Sequence, residues 1–187
     1  MVKKRTCVFI SGQGSNLKNL IMYSRDYNFP IKINLVISNN KNAFGVKYAK
    51  KYKIPHIIIN TKIKNYEKEI FLNLKKYKIS FVCLAGYMKI VSNKLIQKYQ
   101  KKIINIHPSL LPKFKGLNTF SRVLKNRERK TGCTVHYVNE KLDSGSTITQ
   151  KTFFLNSGDD VLSLKLKTQE LEYKAFPEAI VKIFRYI

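Results

Sequence analysis

Three stretches of this chain carry side chains whose types and spacing could do chemistry. The first is Ile103-Ile-Asn-Ile-His-Pro-Ser-Leu-Leu-Pro112, where Asn105 and His107 stand two residues apart. In a strand that spacing puts both on one side, with Ile104 and Ile106 on the other. An amide and an imidazole held together can stabilise a developing oxyanion: the amide donates N–H, and a protonated ring adds charge. A lone histidine at a strand end is usually structural. The paired polar groups, followed at once by a loop with Pro108 and Pro112, argue for chemistry here.

The second stretch is Lys141-Leu-Asp-Ser-Gly145. The chain has 11 acidic residues against 36 basic ones, so the carboxylate of Asp143 calls for a reason, although Asp-Ser-Gly is also an ordinary turn. Beside His107 it would stabilise the imidazolium, and it could hold a water that relays the proton of an attacking amine. The third stretch is Ser11-Gly-Gln-Gly-Ser-Asn-Leu17. It lacks the further glycine of the dinucleotide fingerprint and the Gly-Lys-Ser/Thr of a P-loop. It can still turn tightly into a helix capped by Ser15 or Asn16, whose first N–H groups suit a phosphate. His56 and His136 lie at or within strand patterns and read as structural. With Cys7, Cys83 and Cys133 they show no metal-ligand spacing.

The elements that must position these groups alternate. Arg5–Ser11, Ile31–Ser38, Pro55–Asn60, Phe81–Ala85 and Lys102–Ile106 read as strands. Ser15–Tyr23, Phe44–Tyr52 and Lys64–Tyr77 read as helices, with apolar residues on one face. Thr134–Val138 and Ser146–Leu155 read as a late antiparallel pair around the Asn139–Gly145 loop. From Val161 the tail is helical in pattern, with Pro177 as a kink or break. Such alternation predicts one α/β domain over residues 1–187: a mostly parallel twisted sheet with helices on both faces. Ligands then belong beyond the carboxyl ends of the strands, where all three stretches fall.

Composition adds bounds. No apolar run reaches the ~18–20 residues needed to span a bilayer. An odd number of cysteines in apolar surroundings points to reduced thiols and a cytoplasmic protein. The net charge of +25 would suit a polyanion, but the lysines are scattered over nearly every element and arginine is scarce. That points to compositional bias and not to a dedicated nucleic-acid partner.

In order along the chain, six stretches resemble the glycinamide ribonucleotide formyltransferase family, the folate enzyme of purine synthesis. They are Ser11–Leu17, Leu84-Ala-Gly-Tyr-Met-Lys-Ile90, Asn105–Pro112, Gly116-Leu117, Gly132-Cys-Thr-Val-His136 and Leu142–Gly145. The resemblance implies a single Rossmann-like formyltransferase domain. It implies transfer of the formyl group of 10-formyltetrahydrofolate to the amine of 5'-phosphoribosylglycinamide, with no metal and no covalent enzyme intermediate. His107 would then be proton donor and oxyanion stabiliser, Asn105 a second donor, and Asp143 the carboxylate behind the histidine. Gly14, Ser15 and Asn16 would hold the phosphate, and Glu172 the glycinamide or ribose end. Met88, Lys89, Ile90 and Val91 would line the folate pocket together with Asn105, and Val138, Asn139, Glu140, Lys141 and Asp143 would close on the pteridine. The two small molecules would be the only partners, bound by a monomer or homodimer.

Three departures stand out. Gln13 replaces the family's usual Asn, Ile63 stands where many members carry an arginine near the substrates, with Lys62 or Lys64 as substitutes, and the chain ends soon after Tyr186. Two relatives of the same catalytic domain compete. The formyltetrahydrofolate hydrolase usually has a second His at the position of Pro108, and methionyl-tRNA formyltransferase carries a further tRNA-binding domain for which the length leaves no room. A basic binding module that retains an old enzyme fold would instead bind nucleic acid with steep salt dependence and no turnover.

Overall fold

A computed structural model describes residues 2–185. Thirteen elements follow one another: β1 (Lys4–Ile10), α1 (Ser15–Ser24), β2 (Ile31–Ser38), α2 (Val46–Lys51), β3 (His56–Ile58), α3 (Tyr66–Lys76), β4 (Phe81–Leu84), α4 (Asn93–Lys98), β5 (Ile103–His107), α5 (Thr119–Lys125), β6 (Lys130–Tyr137), β7 (Thr147–Phe154) and α6 (Val161–Arg185). The strands form one sheet in the order β3-β2-β1-β4-β5-β6-β7. This is the α/β architecture that the alternation predicts and the Rossmann-like domain that the resemblance implies.

The chain divides into two compact units, the first running to Ile104 and the second from Asn105. In the first, β1 pairs in parallel with β2 and with β4, and β2 in parallel with β3. Successive residues Cys7–Ile10, Leu35–Ile37 and Phe81–Leu84 are all buried. Unbroken burial along a strand requires cover on both faces, which is why these strands read as continuous apolar runs. Strand order reverses direction between β1 and β4. Outside the carboxyl ends of those two strands lie the Gly12–Gly14 turn and the Ala85–Val91 segment, the place where open α/β sheets bind ligands.

In the second unit β6 and β7 are antiparallel, with Lys130 opposite Phe154 and a register shift between Val135 and His136. Helix α6 packs on both strands. Pro177 lies inside this helix without ending it. A proline removes one helical N–H bond, at a cost of about 3 kcal/mol. The buried Phe176, Ile180 and Phe184 each return roughly 1.5–3 kcal/mol, so packing prevails over propensity.

Two helices escape the sequence pattern. Helix α4 begins at Ser92, whose hydroxyl accepts from Leu95 N–H at 3.3 Å, and α5 begins at the left-handed Asn118. Each spans six or seven residues, under two turns, too short for a periodic apolar face to register. Strand β6 also starts four residues before the expected Thr134. Among the described residues no helix is long and apolar enough to cross a membrane.

Candidate active site

Strand β5 delivers Asn105 and His107 to one place, as alternation requires. The His107 side chain is buried, and its Nε2–H donates to the Phe114 carbonyl at 2.9 Å. A carbonyl only accepts, so this contact fixes a proton on Nε2. The other ring nitrogen, Nδ1, lies 3.3 Å from Asp143 Oδ2. Both ring nitrogens face acceptors, an arrangement complementary to the doubly protonated ring. Asp143 is itself held: Gly116 N–H donates to Oδ2 at 2.8 Å. The loop between β5 and α5 thus grips histidine and carboxylate at once. Left-handed backbone at Phe114, Gly116 and Asn118, and at Asp143, shapes these two loops. Arg122 fastens the first loop by donating to the Lys115 carbonyl, and Lys115 Nζ donates to Ser144 Oγ.

His136 belongs to this cluster, contrary to its reading as structural. It is buried, its Nδ1–H donates to the Tyr137 carbonyl at 2.8 Å, and its Nε2 lies 3.1 Å from Asn105 Nδ2. Burial pushes its pKa below the ordinary 6.5. The Tyr137 carbonyl and the Asp143 charge oppose that shift, and the His107 and Lys115 charges add to it. A neutral ring with its proton on Nδ1 must accept at Nε2, so Asn105 donates one amide hydrogen to it. The second amide hydrogen remains for another acceptor. His136 Nε2 is also 3.7 Å from Asp143 Oδ1. The sequence holds a signal for it, since His136 closes one of the six resembling stretches, but a histidine within a strand pattern reads as a packing residue.

The remaining expected residues of this unit lie on the β6–β7 loop and on α6. Asn139, Glu140 and Lys141 are exposed on the β6–β7 loop and Val138 is half-buried. Glu172 is half-buried on α6, close enough to Cys133 for its charge to raise that thiol's pKa, after burial, to about 12.

In the first unit the glycine turn is built by close backbone approach. Gly14 has φ +72°, and a Cβ there would sit 2.4 Å from the Gly45 Cα. Gly45 N–H in turn donates to the Gly12 carbonyl at 3.0 Å. Gly14 is the residue preceding α1, and no side chain caps this helix, so the expected Ser15 or Asn16 cap is absent. The left-handed glycine leaves no room for an ordinary cap geometry, and Ser15 becomes the first helical residue. Ser11 ties the turn to the second loop: its Oγ accepts from Met88 N–H at 2.7 Å and donates to Asn39 Oδ1 at 2.5 Å. Beyond it Met88 and Ile90 are 66% and 75% exposed while Val91 is buried, so the segment presents apolar side chains to solvent. Lys89 is exposed beside them.

A formyl transferase family model matches residues 4–180. The phosphoribosylglycinamide formyltransferase of Haemophilus influenzae is 37% identical over 183 residues, covering 95% of this chain and 85% of that protein. The human trifunctional purine biosynthetic protein adenosine-3 is 42% identical over 182 residues; the match takes in 95% of this chain and 18% of that protein, less than a fifth of its length. A crystal structure of phosphoribosylglycinamide formyltransferase from Anaplasma phagocytophilum superimposes with a TM-score of 0.90 at 37% identity, covering 96% of this chain and 86% of that one. With its fold, its ordered motifs and nearly its whole length accounted for in this way, the chain belongs to the formyl transferase family.

Proposed function

We propose that this protein transfers the formyl group of 10-formyltetrahydrofolate to the amine of 5'-phosphoribosylglycinamide, giving formylglycinamide ribonucleotide and tetrahydrofolate. The observation that carries the reading is the buried His107–Asp143 pair at 3.3 Å, with Asn105 fixed beside it by His136. In this reading the substrate amine adds to the formyl carbon, and the carbonyl electron pair moves onto oxygen. Asn105 donates its second amide hydrogen to that oxygen. His107 donates from Nδ1, because Nε2 is committed to the Phe114 carbonyl. The Nδ1 contact to Asp143 is longer than the roughly 2.7–2.9 Å of a strong charge-assisted bond, so the Nδ1–H can be shared with an oxyanion formed beside it. Collapse of the adduct breaks the bond from carbon to the folate nitrogen. The proton lost by the amine passes through a water held by Asp143 to that leaving nitrogen.

Gly14, Ser15 and Asn16 are assigned to the phosphate, since the first N–H groups of a helix and its positive dipole end favour an anion. Met88, Lys89, Ile90 and Val91, with Asn105, are assigned to the folate, and Val138, Asn139, Glu140, Lys141 and Asp143 to closure over its pteridine. Glu172 is assigned to the glycinamide or ribose end. The reading takes residues 1–187 as one catalytic domain acting in the cytoplasm as a monomer or homodimer. The three free, buried cysteines suit a reducing compartment.

The test is direct. The protein is incubated with 10-formyltetrahydrofolate and, separately, water, glycinamide ribonucleotide and methionyl-tRNA as acceptors. Tetrahydrofolate should form with glycinamide ribonucleotide alone. His107→Ala should lower turnover on the order of 10²–10⁴-fold, the span of a lost acid or oxyanion donor. Full activity in that variant removes the mechanism.

A further inference from the structure

Lys115 is half-buried in the Phe114–Asn118 loop, whereas Lys113, two residues before it, is exposed and pairs with Glu128 at 3.0 Å. A long cation partly withdrawn from water gives up hydration and rotamer freedom, so its ammonium needs a polar partner. It donates to Ser144 Oγ, on the loop between β6 and β7. A hydroxyl that accepts one bond still has its own hydrogen to give, and Ser144 Oγ–H donates to the Leu142 carbonyl at 2.9 Å. Through this relay one ammonium holds the residues on either side of Asp143.

The lysine is itself anchored. Arg122 on α5 donates to the Lys115 and Leu117 carbonyls, and its guanidinium lies 5.5 Å from the centre of the Phe114 ring. The next residue, Gly116, donates its N–H to Asp143 Oδ2 at 2.8 Å. Two consecutive residues therefore grip three others, Lys115 by its side chain and Gly116 by its backbone. Asp143 has need of such a grip. Its backbone is left-handed (φ +45°), a conformation that residues with a Cβ keep only where surrounding contacts fix it. The ammonium also stands near enough to the cluster for its charge to oppose protonation of His136, alongside burial and His107 and against Asp143 and the Tyr137 carbonyl. We propose that Lys115 is a positioning residue for the transfer: by latching the Leu142–Gly145 loop through Ser144, it keeps the Asp143 carboxylate against His107. This inference rests on the reading of Asp143 as the carboxylate behind the histidine.

The experiment separates the latch from the charge. Lys115→Met removes the ammonium and keeps most of the side chain. Turnover should fall on the order of tenfold, what one lost hydrogen bond to a charged group amounts to, with the KM for 5'-phosphoribosylglycinamide unchanged. Ser144→Ala leaves the charge and removes its acceptor, and should lower turnover as much. Lys115→Arg and Ser144→Thr keep a donor and an acceptor and should recover most of the loss. K115M/S144A should be no slower than either single variant, because both cut the same connection. Lys113→Met takes a cation from the same loop without touching Ser144 and should turn over like wild type. Wild-type turnover in K115M or S144A, or additive losses in the double variant, overturns the latch. Amide hydrogen exchange over residues 139–146 gives a second measurement: it should quicken in K115M and S144A and match wild type in K115R. Exchange unchanged in the first two variants likewise overturns the latch. Should the wild-type protein transfer no formyl group at all, the functional reading fails instead, and the exchange measurement alone decides whether Lys115 holds the loop.

Discussion

Asn105 Nδ2 lies 3.1 Å from Nε2 of His136, a ring whose other nitrogen is spent on the Tyr137 carbonyl. This single contact decides which way the amide faces. With one hydrogen committed to His136, the carboxamide cannot flip, and its second hydrogen keeps a fixed direction. His136→Ala leaves the half-buried Asn105 amide without its acceptor, which should cost about 1 kcal/mol of stability and lower turnover. His136→Gln offers a carbonyl acceptor and should recover part of both. Turnover and thermal midpoint measured together check this; an alanine variant with unchanged turnover shows that Asn105 needs no support.

The same ring makes stability depend on pH. Burial, the largest cause, holds its folded pKa below the ordinary 6.5. The unfolded chain therefore takes up the proton more readily than the folded one. Stability is fully present above about pH 6.5 and is lost as pH falls from there toward the lowered folded value. The urea midpoint should drop between about pH 7.5 and pH 5.5, and the drop should shrink in His136→Gln. An equal drop in that variant assigns the acid sensitivity to other groups.

Asp143 has two tasks that substitution can separate. Asp143→Asn keeps an oxygen for Gly116 N–H but removes the charge facing His107. It should retain the fold, lower turnover, and change the pH–rate profile. Asp143→Ala also deprives the Phe114–Asn118 loop of its anchor, and proteolytic cleavage in that loop should quicken. Equal cleavage of the two variants and the wild type would show that the hydrogen bonds from Arg122, His107 and Lys115 hold the loop without Asp143.

The glycine turn allows a paired comparison. Gly14→Ala places a left-handed φ on a residue with a Cβ, costing about 1–2 kcal/mol before any clash with Gly45. It should raise the KM for the phosphate-bearing substrate and lower the denaturant midpoint. A Cβ on Gly12 meets nothing within 4 Å. Gly12→Ala should stay within about 0.5 kcal/mol of wild type, the usual range for an uncrowded surface position. Comparable losses in both variants would mean that the turn is sensitive for a reason other than backbone approach.

Much of the molecule was legible before any coordinate. The apolar runs of β1, β2 and β4 announced strands buried on both faces, because only a sheet covered on both sides removes every successive side chain from water. Alternation along β5 put Asn105 and His107 on one side. Asp143 stood out because carboxylates are scarce in this chain. These are local properties, written in period, composition and neighbouring residues.

What the sequence could not decide involves residues far apart in the chain. Nothing local says that His136 backs Asn105 rather than packing in the sheet, that the Phe114 carbonyl takes the His107 Nε2 proton, or that Gly45 forbids a side chain at Gly14. Helices α4 and α5 form from one short turn and a half each because burial of Leu95, Ile96 and Val123 stabilises them, a term that exists only once the rest is folded. The chain's own order determined which groups are present and which face they share. The tertiary structure alone determined which donor meets which acceptor, because a hydrogen bond depends on distances of tenths of an ångström that only packing sets.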